Sequence, residues 1–269
     1  MNPRGTGRPT ADALRGGMPG IAAGLLLALV SFAAPAAFLS VAATLPSVAA
    51  APAATQSPAP AERGPHDATA HHPFDDVERW VRVFDDPGRD AWQRPSLVVE
   101  ALRLRPGMVV ADLGAGTGYF LPYLAKALRP GGIILAIDPQ PEMVRHLAER
   151  THEAKIAGVV PVLALPDDPF LPEGRVDRVL IVDTYHHIDD RTGYFRRMRR
   201  ALAPGGRVVV VDFHKKPLPV GPPPEHKLER DFVVKEMTLS GYDLADEKDF
   251  LPYQYLLVFA PIPPAEPHP

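Results

Sequence analysis

The residues best placed to do chemistry sit in two groups. The first is the run Val109-Val110-Ala111-Asp112-Leu113-Gly114-Ala115-Gly116-Thr117-Gly118, where an apolar stretch enters a glycine-rich turn. Glycine reaches left-handed backbone angles without steric cost and leaves main chain bare for a ligand to lie against. Such a turn can cradle a nucleotide, or it can be a tight strand-to-helix connection. Its Gly-x-Gly-x-Gly spacing departs in the third glycine from the Gly-x-Gly-x-x-Gly turn that seats a pyrophosphate on a helix N-terminus. Downstream, the apolar run Ile133-Ile134-Leu135-Ala136-Ile137 ends in Asp138. A carboxylate there can accept hydrogen bonds from both hydroxyls of a ribose, or it can cap the helix that Pro139 and Pro141 introduce. No arginine follows directly, so a ribose 2′-phosphate is not expected.

The second group is Asp183-Thr184-Tyr185-His186-His187, after another apolar run. Imidazole titrates near neutrality, so His186 or His187 can take a proton from a hydroxyl or an amine, or simply pack and hydrogen-bond there. Asp183 shares that position as a catalytic candidate. Asp212 and His214, after a further apolar run, are expected to point into the same mouth. No His-Glu-x-x-His or comparable ligand spacing occurs among His66, His71, His72, His186, His187 and His214, and no metal site is expected.

These groups need a scaffold that brings strand ends together. Strand candidates are residues 108–113, 133–138, 159–165, 178–182 and 207–212, with helices near 119–128, 141–150 and 191–202. Near-continuous apolar strands alternating with amphipathic helices predict a parallel sheet covered on both faces, whose ligands bind at the carboxyl strand ends. A Pro-rich loop spans 215–225, a helix is expected over 226–240 with Gly241 as its cap, and two last strands near 242–246 and 253–259 are expected to pair antiparallel. Phe74, Val77, Trp80, Val81 and Phe84 have helical spacing, and with 90–95 they read as a lid over the pocket.

With these landmarks in order, the sequence resembles the class I S-adenosylmethionine-dependent methyltransferases. The likeness runs from about Trp92 to Phe259 and rests on Asp112-Leu113-Gly114-x-Gly116-x-Gly118, Asp138, Val176-Asp177-Arg178-Val179 and Leu202-Ala203-Pro204-Gly205-Gly206. It implies an α/β fold: a Rossmann-like, doubly wound, seven-stranded sheet with an antiparallel last strand, behind an N-terminal helical lid. It implies S-adenosyl-L-methionine as cofactor, with Asp112 and the Gly114, Ala115, Gly116 and Gly118 backbone holding the methionine portion and Asp138 the ribose. The family's acidic contact to adenine falls on Asp167 or Asp168, although the usual Gly-Asp pair is missing. The implied reaction is methyl transfer to a small-molecule or lipid-like acceptor. A nicotinamide-dependent oxidoreductase and a non-catalytic envelope protein that keeps the fold are the alternatives.

The chain has 269 residues, a net charge of −3 and no cysteine. That charge gives no general attraction to nucleic acid, and the missing cysteine excludes disulfides, thiolate zinc and a thiol nucleophile. The basic cluster Arg191, Arg196, Arg197, Arg199 and Arg200 reads as a solvated helix face. Arg4, Arg8 and Arg15 precede an apolar run over 21–45, in the order of a secretory signal and long enough for an anchor. The expected organisation is a signal peptide or membrane anchor at 1–50, an Ala/Pro linker at 51–73, a helical lid at 74–105, a methyltransferase domain at 106–260 and a disordered tail at 261–269. The domain is then expected in the cell envelope, touching membrane only through the N-terminal segment. A start codon assigned too far upstream would make it cytoplasmic instead.

Overall fold

In a computed structural model, residues 76–263 of the chain are described. The proposed signal or anchor, the linker, most of the tail, Phe74 and His66, His71 and His72 lie outside them. Seven strands form one sheet in the order β3-β2-β1-β4-β5-β7-β6. β1 (Val109–Leu113), β2 (Ile133–Asp138), β3 (Val159–Leu163), β4 (Val176–Val182) and β5 (Leu202–Phe213) are parallel. β7 (Gln254–Pro261) runs antiparallel to both β5 and β6 (Tyr242–Lys248).

Neighbouring strand residues divide between two cores because side chains alternate across a sheet. Val110, Leu180, Val209 and Val211 face Val98 and Leu102 near α3 (Pro95–Ala101), Leu121 and Leu124 of α4 (Leu121–Ala127), and Leu147 of α5 (Pro141–Glu153). Ala111, Val179, Ile181, Val208 and Val210 face Phe195 and Met198 of α6 (Arg191–Met198) and Val233 and Met237 of α7 (Arg230–Leu239). Most central positions are thus apolar on both faces, which is why these strands read as near-continuous hydrophobic runs. The layers leave the carboxyl ends of β1, β2, β4 and β5 along one edge, with the lid helices α1 (Val77–Phe84) and α2 (Arg89–Gln93) beside them.

The α7 helix starts four residues later than the periodicity predicts, at Arg230 rather than His226. Pro224–His226 forms a single 3-10 turn, and the buried Lys227 reaches back to donate to the Lys216 carbonyl at 2.9 Å, holding that stretch extended. The Pro204-Gly205-Gly206 turn lies inside β5, at a register shift against β4, and not before the strand. The arginine cluster is not one solvated face. Arg191 is fully buried, pairing through Nε and Nη2 with both carboxylate oxygens of Glu236 at 2.8 and 3.0 Å.

Candidate active site

The glycine turn wraps the end of β2. The amides of Gly114 and Ala115 both donate to the Ile137 carbonyl at 2.9 Å, and Gly116 N–H donates to Asp138 Oδ2 at 3.0 Å. Gly114, Gly116 and Gly118 have φ of +73°, +54° and +84°, angles that oppose a Cβ. Space separates their reasons. A Cβ on Gly114 would stand 2.3 Å from Thr184 Oγ1, and one on Gly118 would stand 2.8 Å from Leu121 and Leu147. A Cβ on Gly116 would meet only the Phe84 ring, at 3.6 Å, an ordinary contact without a clash.

Asp138 is buried and each of its oxygens accepts one backbone N–H, from Gly116 and from Gln140 at 2.9 Å. A carboxylate offers about four acceptor positions, so each oxygen keeps one more. Burial pushes its pKa up to about 6 against the pull of those two amides. Asp112, at the end of β1, is also buried. Desolvation lifts it to about 7, with the Arg89 guanidinium opposing and the Asp138 charge adding.

At the end of β4, Asp183 adopts φ +54° and places its carboxylate 3.6 Å from Arg89 Nη2. Gln254 Nε2 donates to its other oxygen at 2.5 Å. Burial raises Asp183 to about 7, and Arg89 is the strongest opposing influence. His186 is buried, with Nδ1 at 2.9–3.0 Å from both oxygens of the buried Asp212. Burial disfavours the charged imidazole, but the Asp212 carboxylate outweighs it and holds the His186 pKa above its ordinary value. The His187 ring lies 4.2 Å from that of His186. Asp212 therefore meets His186 inside the protein and does not open into the mouth. His214 stands aside, edge-on to Tyr255 at 5.8 Å.

Residues 111–208 match the family model of the methyltransferase domain. Over 172 residues the chain is 32% identical to phosphoethanolamine N-methyltransferase 1 of Zea mays, spanning 63% of this chain and 32% of that one. It is 28% identical to the ubiquinone/menaquinone biosynthesis C-methyltransferase UbiE of Ectopseudomonas mendocina, over 61% and 62% of the two chains. A solved SAM-dependent methyltransferase from Aquifex aeolicus matches with a TM-score of 0.66 and 25% identity, over 70% of this chain and 98% of that one. Residues 111–208 are therefore a methyltransferase domain, carried on the fold of a solved S-adenosylmethionine-dependent methyltransferase. The chain spans from about a third to under two thirds of the length of the curated relatives it matches.

The methyltransferase domain has the donor set that the family's cofactor requires. Bare main chain at Gly116 and a lone pair on each Asp138 oxygen suit a ribose diol, and the buried Asp112 suits an ammonium. Asp112, the glycine turn and Asp138 come together, as do Asp183, His186 and His187. Asp167 and Asp168 follow the end of β3. They form a tight turn closed by Leu165 and Asp168, in which Asp168 Oδ1 accepts from Phe170 N–H at 2.9 Å, and Asp167 is exposed. Both charges act on Tyr194 of α6. Among the described residues, no group of three or more His, Asp or Glu is arranged to hold a metal, and no helix is long and apolar enough to cross a membrane.

Sequence reading missed Arg89, Gln93 and Gln254. Arg89 lies 4.1 Å over the Tyr119 ring, beside the glycine turn, and donates to the Phe84 carbonyl at 2.8 Å. The lid is held there by Asp85, which accepts from Thr117 Oγ1 at 3.1 Å and pairs with Arg150, and by Asp90, which accepts from the hydroxyls of Tyr119 and Tyr123. Nothing in the spacing of that stretch singled out Arg89.

Proposed function

We propose that this chain transfers a methyl group from S-adenosyl-L-methionine to a small-molecule acceptor that carries an N–H or O–H. The observation that supports it most is the bond from Gly116 N–H to Asp138 Oδ2, which sets bare main chain beside a carboxylate with acceptor capacity to spare. When bound, the cofactor supplies an activated methyl group on a sulfonium for in-line displacement. The protein's task is then alignment, with a proton acceptor for a nucleophile that starts protonated. Asp183 is partly exposed, at 23% of its side chain, and serves as that acceptor. His186, fixed through Nδ1 by Asp212, keeps the floor of the mouth polar and rigid. Trp92, Phe213 and Tyr253, with ring centroids 5.8 and 6.2 Å from Trp92, wall the acceptor side.

In the same proposal, residues 21–45 carry the domain to the cell envelope, motivated by Arg4, Arg8 and Arg15 ahead of the apolar run. A reporter active on only one side of the membrane, fused after Pro60, decides the location. Calorimetric titration of the full chain with S-adenosylhomocysteine tests the cofactor site. A screen of phenols, quinols, amines and carboxylates with S-adenosylmethionine, scored by S-adenosylhomocysteine release, tests the reaction. Absence of binding by a folded chain rejects the reading.

A further inference from the structure

Four side chains from distant parts of the chain close a ring at the mouth. Arg89 donates through Nε and Nη2 to Gln93 Oε1, at 3.2 and 3.1 Å. Gln93 Nε2 donates to Gln254 Oε1 at 2.7 Å, across 161 residues of sequence. Gln254 Nε2 donates to Asp183 Oδ1, and Asp183 Oδ2 returns to Arg89 at 3.6 Å. Gln93 and Gln254 are both buried, at 0% and 1% exposure, where an unmatched amide would be costly.

The direction of the ring is forced. Arginine only donates, and an ionised carboxylate only accepts. Arg89 therefore fixes which end of Gln93 it meets, Gln93 then fixes Gln254, and Gln254 arrives at Asp183 with its amine end. Two residues of α2, Arg89 and Gln93, thus determine how a carboxylate at the end of β4 is held, through an amide on β7. Asp183 also has a left-handed φ, a strained backbone conformation that surrounding structure must hold.

We infer that Gln93 and Gln254 are positioning residues, which couple docking of the lid to the orientation of the Asp183 carboxylate toward the acceptor. The role given to Asp183 rests on the methyl-transfer reading, whereas the coupling itself does not. The charged and titratable groups facing Asp183 are Arg89 from α2, Asp212 from β5, His186 from the 3-10 turn after β4, Tyr255 from β7 and, through Arg89, Asp112 from β1. Among them, Arg89 and the Gln254 amide favour its ionised form.

Both tryptophans of the chain, Trp80 and Trp92, lie on the lid, so intrinsic fluorescence of the full chain reports its docking. The test follows emission from pH 5.5 to 9 in the wild type, Gln93→Met, Gln254→Met, the double variant and Asp183→Asn. Methionine keeps the volume and removes both polar ends, and Gln254→Asn stands in if a methionine variant does not fold by circular dichroism. The expected wild-type transition lies near pH 7 and disappears in Asp183→Asn. Each single substitution should raise its midpoint by about half a unit, roughly threefold in proton affinity, and the double variant should move it no further. A missing wild-type transition, midpoints that do not move, additive shifts or a transition that survives in Asp183→Asn each overturn the inference. S-adenosylhomocysteine titration on the same proteins scores the methyltransferase reading separately: its failure in the wild type rejects that reading, and leaves the fluorescence result to decide the ring.

Discussion

Replacing Asp138 by alanine removes one acceptor and exposes what it was doing. In the free protein each carboxylate oxygen accepts one backbone N–H, which leaves one position per oxygen for a ribose hydroxyl. A hydrogen bond to a charged group contributes about 1.5–3 kcal/mol. Two such bonds, offset by hydration of the ribose in the variant, give a loss of about 3 kcal/mol, roughly a hundredfold in Kd for S-adenosylhomocysteine. Asp138→Asn should lose nearly as much, because its NH2 must face the N–H of Gly116 or Gln140. The ionised form is the acceptor, so the hydroxyls favour deprotonation. Burial holds the free carboxyl at about 6, and affinity should therefore rise with pH through 6 and level off above it. Asp112, at about 7, adds a second rise of the same sign if it receives the ammonium. Calorimetry at half-unit pH steps measures both, and Asp138→Asn should erase only the lower one. An alanine variant within threefold of wild type, or wild-type affinity flat from pH 5 to 8, refutes the ribose role.

Gly116→Ala and Gly114→Ala should part company. The first brings a Cβ only into ordinary contact with Phe84 and should fold with only about 1 kcal/mol of backbone strain, while losing S-adenosylhomocysteine. The second drives a Cβ into Thr184, so its thermal midpoint should fall clearly further, as differential scanning fluorimetry would show. Glu236→Leu removes the buried carboxylate that pairs with Arg191 and should cost about 3–5 kcal/mol in urea denaturation, and Arg191→Met combined with Glu236→Leu should recover most of it. Ligand-free stability should decline from pH 5 to pH 8. Asp112, Asp138 and Asp183 all have folded-state pKa values raised, to about 7, 6 and 7, so the stability they favour is present at low pH and lost as pH rises through those values. A melting temperature that rises across that interval contradicts the burial argument.

How much the sequence disclosed follows from how local each cause is. The glycine turn and Asp138 were readable because steric exclusion and strand termination act over a few neighbouring residues. The sheet and its helices were readable from two apolar periodicities. Arg191 was misread because its partner, Glu236, lies 45 residues away on another helix, and a helical arginine with arginine neighbours has the pattern of a solvated face. Gln93 and Gln254 left no trace, since neutral amides neither enter a hydrophobic pattern nor form a charge cluster. Asp167 and Asp168 were read by position alone, and the Pro-containing turn that engages Asp168 has no signature in the spacing.

The reversal of β7 has a practical side. Its first residue, Gln254, lies opposite Phe213 at the carboxyl end of β5, and Phe259 lies opposite Val208 near the other end. The polypeptide consequently leaves the sheet at the rim remote from the mouth. An affinity handle or surface tether joined at the carboxyl terminus should leave ligand entry unhindered, so immobilised protein is suited to screening candidate acceptors.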